Sequence, residues 1–289
     1  MADSHNHEQN IRSTINTVHS QKLMHGSPRA RFWFVGLEGG NHPEVEDVEE
    51  FLAKRAAHHE GYNAGKFSNL RGYECLEGLC NTQCPERTKC REKHYHPCKI
   101  HGRTTQVKWQ ATYGGYIKLL LSLTKPGWTL DDVKEYQHLY LGEVNGDPSI
   151  SSSLLELYPM DNQRKRAWPY KHLGKIAGLE YLKTARKYRE WAIETEWNKI
   201  LDLILKHKPD YVFVFGVDAT YLARNDRSLN YTVRPIMTKG DNKSIDTGFA
   251  SLGDTLITFA RHPAGHTSDL YWKNIAAELL AVDASNLAA

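Results

Sequence analysis

The sequence has no long apolar run, little excess charge of one sign and only five cysteines in 289 residues. It therefore lacks the features that would identify a membrane protein, a strongly charged nucleic-acid-binding protein or a disulfide-rich protein at once. A transmembrane helix needs ~20 consecutive apolar residues, and no such run is present, so we expect no membrane partner. The 37 Lys and Arg residues against 34 Asp and Glu residues give a net charge of only +3. A nucleic-acid partner therefore has to be argued from local features rather than from overall charge.

The beginning of the chain and one internal stretch differ from the rest in composition. Residues 1–26 are polar and His-rich and lack the basic-then-apolar order of a secretory signal. We therefore expect a cytoplasmic protein whose first 26 residues form a loosely packed polar segment. Residues 27–289 suit one large, monomeric domain, interrupted by a Gly-, Cys- and His-rich insertion at about residues 57–108.

Four short apolar runs have the composition of β-strands, and helical patterns separate them. This alternation predicts the α/β class, as a three-layer αβα fold around a central, mostly parallel, four-stranded sheet. Ligands of such sheets bind beyond the carboxyl ends of the strands. The predicted strands cover residues 31–36, 153–158, 211–216 and 255–260. The predicted helices cover residues 116–123 and 180–207, with a last helix that Ser268 or Asp269 caps and that ends near Val282.

Two of these strands end in groups that suit acid–base chemistry. The first runs into Gly-Leu-Glu-Gly-Gly-Asn at residues 36–41, which holds the Glu38 carboxylate on backbone that can approach a ligand closely. The last runs into His-Pro-Ala-Gly-His-Thr-Ser at residues 262–268, which puts the His262 imidazole at the same edge of the sheet. Because Pro263 stiffens the second loop, we expect Glu38 and His262 to serve one site.

This combination resembles the uracil-DNA glycosylase superfamily, whose members carry Gly-x-Asp/Asn/Glu-Pro-Tyr/Gly after the first strand and His-Pro after the last. Residues 154–159, Leu-Leu-Glu-Leu-Tyr-Pro, are similar to the strand whose end reads the base, and residues 208–216 to the entry of the third strand. The resemblance covers the core strands and roughly the C-terminal half, and it implies double-stranded DNA as the partner. Besides the catalytic pair, it assigns substrate contacts to Gly36, Gly39, Gly40, Asn41, Glu156, Tyr158, Gly265, His266 and Ser268.

The chemistry that this resemblance implies agrees with the residue types. Breaking an N-glycosidic bond builds positive charge on the sugar and negative charge on the departing base. Glu38 would stabilise the sugar cation and orient or deprotonate the attacking water, and His262 would donate a hydrogen bond to the base. No lysine lies within the two motifs that carry Glu38 and His262, which favours direct hydrolysis over a Schiff base. The target base must leave the duplex, with residues 264–267 as the expected wedge.

Two departures from the family pattern concern the base. Gly40 stands where uracil-specific members carry a Tyr that closes the pocket at C5, and Glu156 stands where they carry an Asn. A protonated Glu156 can donate to N3 of cytosine while accepting from its N4 amino group. These features predict a C5-modified cytosine, such as the glucosylated hydroxymethylcytosine of phage DNA that a phage-defence branch of the superfamily excises. Ordinary uracil repair remains an alternative, as does a shifted alignment in which Glu156 is a structural carboxylate.

A polar stretch at residues 162–175 interleaves Arg164, Lys165, Arg166 and Lys171 with Trp168 and Tyr170. Basic and aromatic side chains on one loop suit a surface for phosphates and bases. A solvated connection between strand and helix is an equally good interpretation.

All five cysteines lie within residues 75–98, which favours a reduced chain with a local metal site over a disulfide framework. Cys75, Cys84, Cys90 and His94 have the spacing of a Cys3His structural zinc site, which we prefer. Cys80 and Cys98 would complete a four-thiolate site with Cys84 and Cys90, for zinc or an iron–sulfur cluster. A non-catalytic, metal-stapled nucleic-acid-binding protein is therefore the competing functional class.

Overall fold

The structure is a computed structural model that describes residues 2–20, 24–26, 28–38, 48–63, 111–134, 136, 152–160, 168–216, 222, 226–238, 243–263 and 268–287. Its helices are α1 (Ala2–Ser20), α2 (Val48–Asn63), α3 (Ala111–Thr124), α4 (Ala185–His207) and α5 (Asp269–Leu287). Its strands are β1 (Met24–Gly26), β2 (Phe32–Glu38), β3 (Ser152–Tyr158), β4 (Tyr211–Phe215), β5 (Asn230–Met237), β6 (Ser244–Leu252) and β7 (Thr255–Ala260). Two short 3₁₀ helices, Pro169–Lys175 and Glu180–Lys183, lie between β3 and α4.

The strands form one mixed sheet in the order β1-β3-β2-β4-β7-β6-β5. The α/β class is confirmed, and the four predicted strands are β3, β2, β4 and β7, which are parallel to one another at the centre. The prediction of a four-stranded sheet is wrong, because β1, β6 and β5 extend the sheet with antiparallel pairings. These three strands give weak sequence signals: β1 has three residues, and β5 is largely exposed and contains Pro235.

Alternation along the central strands divides the core into two clusters. Phe32 and Phe34 belong to the cluster that contains residues of α3 and α5, whereas Trp33 and Val35 belong to the cluster that contains residues of α1, α2 and α4. Side chains of successive strand residues point to opposite faces of a sheet. Helices therefore cover both faces of the sheet, in three layers.

The first helix corrects the expectation of a loosely packed beginning. Ile11, Ile15 and Val18 of α1 are buried in the core, and their spacing puts them on one face of a helix. At the end of α1, His19 Nδ1 lies 3.3 Å from Oε1 of Glu196, a fully buried carboxylate of α4 that Lys199 Nζ also contacts at 2.8 Å. The helix is polar in composition, so its narrow apolar stripe is easily overlooked in the sequence.

Local signals mark the ends of the other helices, except that α4 begins at Ala185 and not at the predicted Glu180, where a 3₁₀ helix lies. Thr184 caps α4 by accepting a hydrogen bond from the Lys187 amide, and the helix ends at His207, just before Pro209. Ser268 caps α5, because its Oγ accepts the Tyr271 amide at 3.4 Å. The predicted insertion at about residues 57–108 begins inside α2, which continues to Asn63, and residues 64–108 lie outside the described residues.

Candidate functional site

The parallel strands bring the predicted site residues to one edge of the sheet. β2 and β3 are neighbours in a register that pairs Gly36 with Glu156 and Glu38 with Tyr158. The two predicted carboxylate positions therefore lie on adjacent strands, two residues apart along the strand direction. The side chain of Glu38 lies outside the described part of the chain.

His262 follows the end of β7 at the same edge. β4 lies between β2 and β7, and its last residue, Phe215, pairs with Ala260. Neighbouring strands are 4.7–4.9 Å apart, so β2 and β7 are separated by about 10 Å. The Glu38 and His262 positions are thus separated by the width of one strand, β4, a distance that is compatible with the predicted shared site.

The segment that carries His262 is held on both sides. The Arg261 amide donates to the hydroxyl of Tyr271 at 3.3 Å, and this hydroxyl is also hydrogen-bonded to Thr247 Oγ1 at 3.0 Å. Burial raises the pKa of Tyr271, so this hydroxyl stays protonated. On the other side, Pro263 packs against Gly115 of α3. His262 itself is partly buried between these two anchors.

Helix α3 supplies an aromatic wall that sequence reasoning missed. The Tyr116 ring stacks on Phe34 at a centroid distance of 4.7 Å and on Phe215 at 5.1 Å. Its hydroxyl lies above Gly36, 3.8 Å from where a Cβ would stand. The only sequence signal is the Gly-Gly-Tyr at residues 114–116, where small residues permit close approach to the sheet.

Glu156 lies on the face of the sheet that Tyr116 covers. Leu154 packs with the cluster on the α3 side, and Leu155 and Leu157 belong to the opposite cluster; alternation therefore assigns Glu156 to the side of Leu154. Its side chain is buried, with 8% of its surface exposed. Gly36, Glu156 and the Tyr116 hydroxyl thus lie close together near the carboxyl ends of β2 and β3.

Two predicted substrate contacts have structural partners. The Tyr158 ring is buried in the core against Tyr188 of α4. The Ser268 hydroxyl donates to the carbonyl oxygen of Thr238 besides capping α5. Their predicted substrate contacts remain predictions.

Several predicted residues lie outside the described residues: Gly39, Gly40, Asn41, Gly265 and His266, and all six candidate metal ligands, Cys75, Cys80, Cys84, Cys90, His94 and Cys98. Within the described residues, no cluster of three or more His, Cys, Asp or Glu side chains has the arrangement of a metal site.

The aromatic residues of the 162–175 stretch do not form a surface for bases. Tyr170 is buried, and Trp168 donates from Nε1 to the Leu182 carbonyl oxygen at 2.6 Å while its ring packs on Tyr170 and Tyr188. The interpretation of both rings as base-stacking groups is wrong, because Tyr170 is buried in the hydrophobic core and Trp168 packs against it. Arg164, Lys165 and Arg166 lie outside the described residues.

A scan against protein-family models finds no match to this chain, and comparisons with curated proteins and with solved structures find no significant match. Among the described helices, none combines the length and the apolarity that crossing a bilayer demands. Function therefore has to be inferred from the strand-end residues and their surroundings.

Proposed function

We propose that this protein is a monofunctional DNA glycosylase that hydrolyses the N-glycosidic bond of a base flipped out of duplex DNA. The observation that carries the proposal is the shared sheet edge: Glu38 ends β2, Glu156 lies two residues before the end of β3, and His262 lies two residues after the end of β7. The motif order that resembles the uracil-DNA glycosylase superfamily supports it.

In the proposed reaction, the bond between C1′ and the base nitrogen breaks while water forms a new bond to C1′. The water loses a proton to Glu38, and the base leaves as an anion that then takes up a proton. Glu38 stabilises the positive charge that develops on the sugar and orients the water, and His262 donates a hydrogen bond to the departing base. Charge appears at both places only in the transition state, so both groups act on the rate rather than on substrate affinity. The anchoring of Arg261 and Pro263 keeps the imidazole in position for this role.

We further propose that the substrate base is a cytosine with a substituent at C5. Glu156 is buried beside Gly36 on the face below Tyr116, where a protonated carboxyl can donate to N3 and accept from the N4 amino group. Gly40 stands where uracil-specific members carry a Tyr, and on that resemblance we expect space at C5. A glucosylated hydroxymethylcytosine, as in phage DNA, suits both the Glu156 carboxyl and the glycine at position 40. With this substrate, the protein would act in antiviral defence.

The direct test incubates the protein with duplexes that contain uracil, cytosine or a C5-modified cytosine and scores strand breaks after alkali. We expect abasic sites at the modified cytosine. If no duplex acquires abasic sites, the protein is not a glycosylase for these bases. Binding of the same duplexes without excision would instead support the non-catalytic nucleic-acid-binding protein.

Base choice is expected to depend on Glu156 and Gly40 separately. Glu156→Gln should weaken excision of the modified cytosine, because an amide cannot deliver an acidic proton to N3 although it still accepts from N4. Gly40→Tyr should exclude only bases with a C5 substituent. The duplexes compete in one reaction, and the measured quantity is the ratio of modified to unmodified cytosine excised. Because both substrates meet the same enzyme, this ratio does not depend on the amount of active protein. A preference for uracil that Glu156→Gln leaves unchanged would return the protein to uracil repair.

We also propose that the Cys-rich segment binds one zinc ion, which would fix a stretch too polar to build its own core. Elemental analysis should find about one zinc per chain, since one closed site uses four ligands. Cys75→Ser and His94→Gln should lower zinc content, whereas Cys80→Ser and Cys98→Ser should retain it. The opposite pattern, or iron with visible absorption, would assign the four-thiolate set instead.

A further inference from the structure

The segment from Trp168 to Glu190 carries an unusual charge for this chain. It contains six Lys and Arg residues against two Glu residues, so its net charge exceeds that of the whole protein. The residues of interest are four exposed lysines, Lys171, Lys175, Lys183 and Lys187, which we call the lysine surface.

The lysine surface is assembled from two 3₁₀ helices and the first turn of α4. Gly174 packs so closely on Lys183 that a Cβ there would lie 2.8 Å from the Lys183 Cα. The carbonyl oxygen of Leu182 binds Trp168 Nε1, and Thr184 caps α4 through the Lys187 amide. The lysines therefore project from one compact, hydrogen-bonded unit.

This unit lies at the same edge of the sheet as the candidate site. The Met160 amide, two residues beyond the end of β3, donates to the Tyr188 hydroxyl in the first turn of α4 at 2.9 Å. The other end of α4 lies at the opposite edge, because His207 is followed after three residues by the start of β4. The amino-terminal end of α4 and the carboxyl ends of the parallel strands thus face the same side of the molecule.

Nearby carboxylates offset little of the positive charge of the lysine surface. None of its four lysines forms an ion pair with any residue that the structure describes. Glu180 accepts a hydrogen bond from the Gly178 amide at 3.1 Å; backbone hydrogen bonds, and to a smaller extent the charge of Lys183, keep the pKa of this carboxyl below its ordinary value. Glu190 faces Arg186 in an exposed pair at 3.4 Å. Four ammonium groups therefore remain available to an external anion.

We propose that the lysine surface binds the phosphate backbone of duplex DNA beside the flipped base, an inference that rests on the proposed function. Lysines contact phosphates as point charges and contribute affinity without reading sequence. A membrane surface fits less well, because the large aromatic rings of the segment pack against the core: Tyr170 and Tyr188 are buried, and Trp168 and Tyr181 are partly buried.

The test compares two double variants of the full-length protein. Lys175→Gln with Lys187→Gln removes two charges from the lysine surface, and Lys206→Gln with Lys208→Asn removes two exposed charges from the other end of α4. Asn suits position 208 because the backbone φ there is +50°. Binding to a fluorescent duplex is measured by anisotropy at several salt concentrations, and circular dichroism checks that both variants fold.

We plot the logarithm of the observed association constant, Kobs, against the logarithm of the salt concentration. The first variant should reduce the magnitude of the negative slope by about 2, since each lost phosphate contact removes about 1. The control should keep the wild-type slope. Lys175→Arg with Lys187→Arg should restore it. Equal slopes for the two double variants, with excision intact, would overturn the lysine surface and leave the glycosylase proposal standing. A slope that depends on these lysines, without excision of any base, would support the lysine surface and overturn the glycosylase proposal. Lysine-dependent binding to phosphatidylserine vesicles but not to DNA would also overturn the inference.

Discussion

Glu38→Gln and His262→Ala are each expected to lower single-turnover excision by roughly 10²-fold or more, the usual effect of removing one transition-state partner. The Glu38→Gln change keeps the size of the side chain but removes the negative charge that offsets the sugar cation. The His262→Ala change removes the hydrogen bond to the departing base. Glu38 is the last residue of β2 and His262 follows the end of β7 by two residues, so neither substitution changes a residue inside a strand and we expect the free energy of unfolding to change little.

Two variants far from this edge serve as matched controls. Glu194→Gln removes an exposed carboxylate of α4, and His207→Ala removes an imidazole at the opposite end of the molecule, near the first residues of β2. Both should excise at the wild-type rate in the same assay. If Glu38→Gln and His262→Ala also match the wild type, the assignment of the strand ends to catalysis is wrong.

Gly115→Ala is expected to disturb the site indirectly, by displacing Pro263 and with it the neighbouring His262. A Cβ at position 115 would overlap the Pro263 ring and lie 3.2 Å from the Pro263 Cα and 3.4 Å from the Trp272 indole. Overpacking of this kind costs about 1–3 kcal/mol. Helix propensity alone predicts the opposite sign, because Ala is about 1 kcal/mol more favourable than Gly inside a helix.

The expected result is therefore a loss of stability despite the better helix former, together with a fall in excision of about 10²-fold if His262 shifts by about 1 Å. Chemical denaturation and single-turnover excision measure the two effects. Gly36→Ala is the matched control for stability, because a Cβ there meets only Tyr116 Oη at 3.8 Å and Leu155 O at 3.9 Å. A Gly115→Ala variant that is more stable than the wild type and equally active would show that the contact with Pro263 does not position the histidine.

The parts of the fold that were predictable are those whose signal is local. Four apolar runs identified β2, β3, β4 and β7, and Pro209 and Ser268 marked a helix end and a helix cap, because strand composition and capping depend on neighbouring residues. The strand-end positions of Glu38 and His262 follow from the same local pattern, since parallel strands end at one edge.

Contacts between distant segments decided the rest. Edge strand β5 is largely exposed and contains Pro235, so its local signal is weak and only its antiparallel pairing with β6 makes it a strand. Trp168 and Tyr170 have the composition of a base-binding loop, yet the core buries Tyr170 and partly covers Trp168. The wall that Tyr116 forms on Phe34 and Phe215 joins segments that are about 80 to 100 residues apart. Local periodicity carries no information about such pairings, which depend on how the packed layers exclude water.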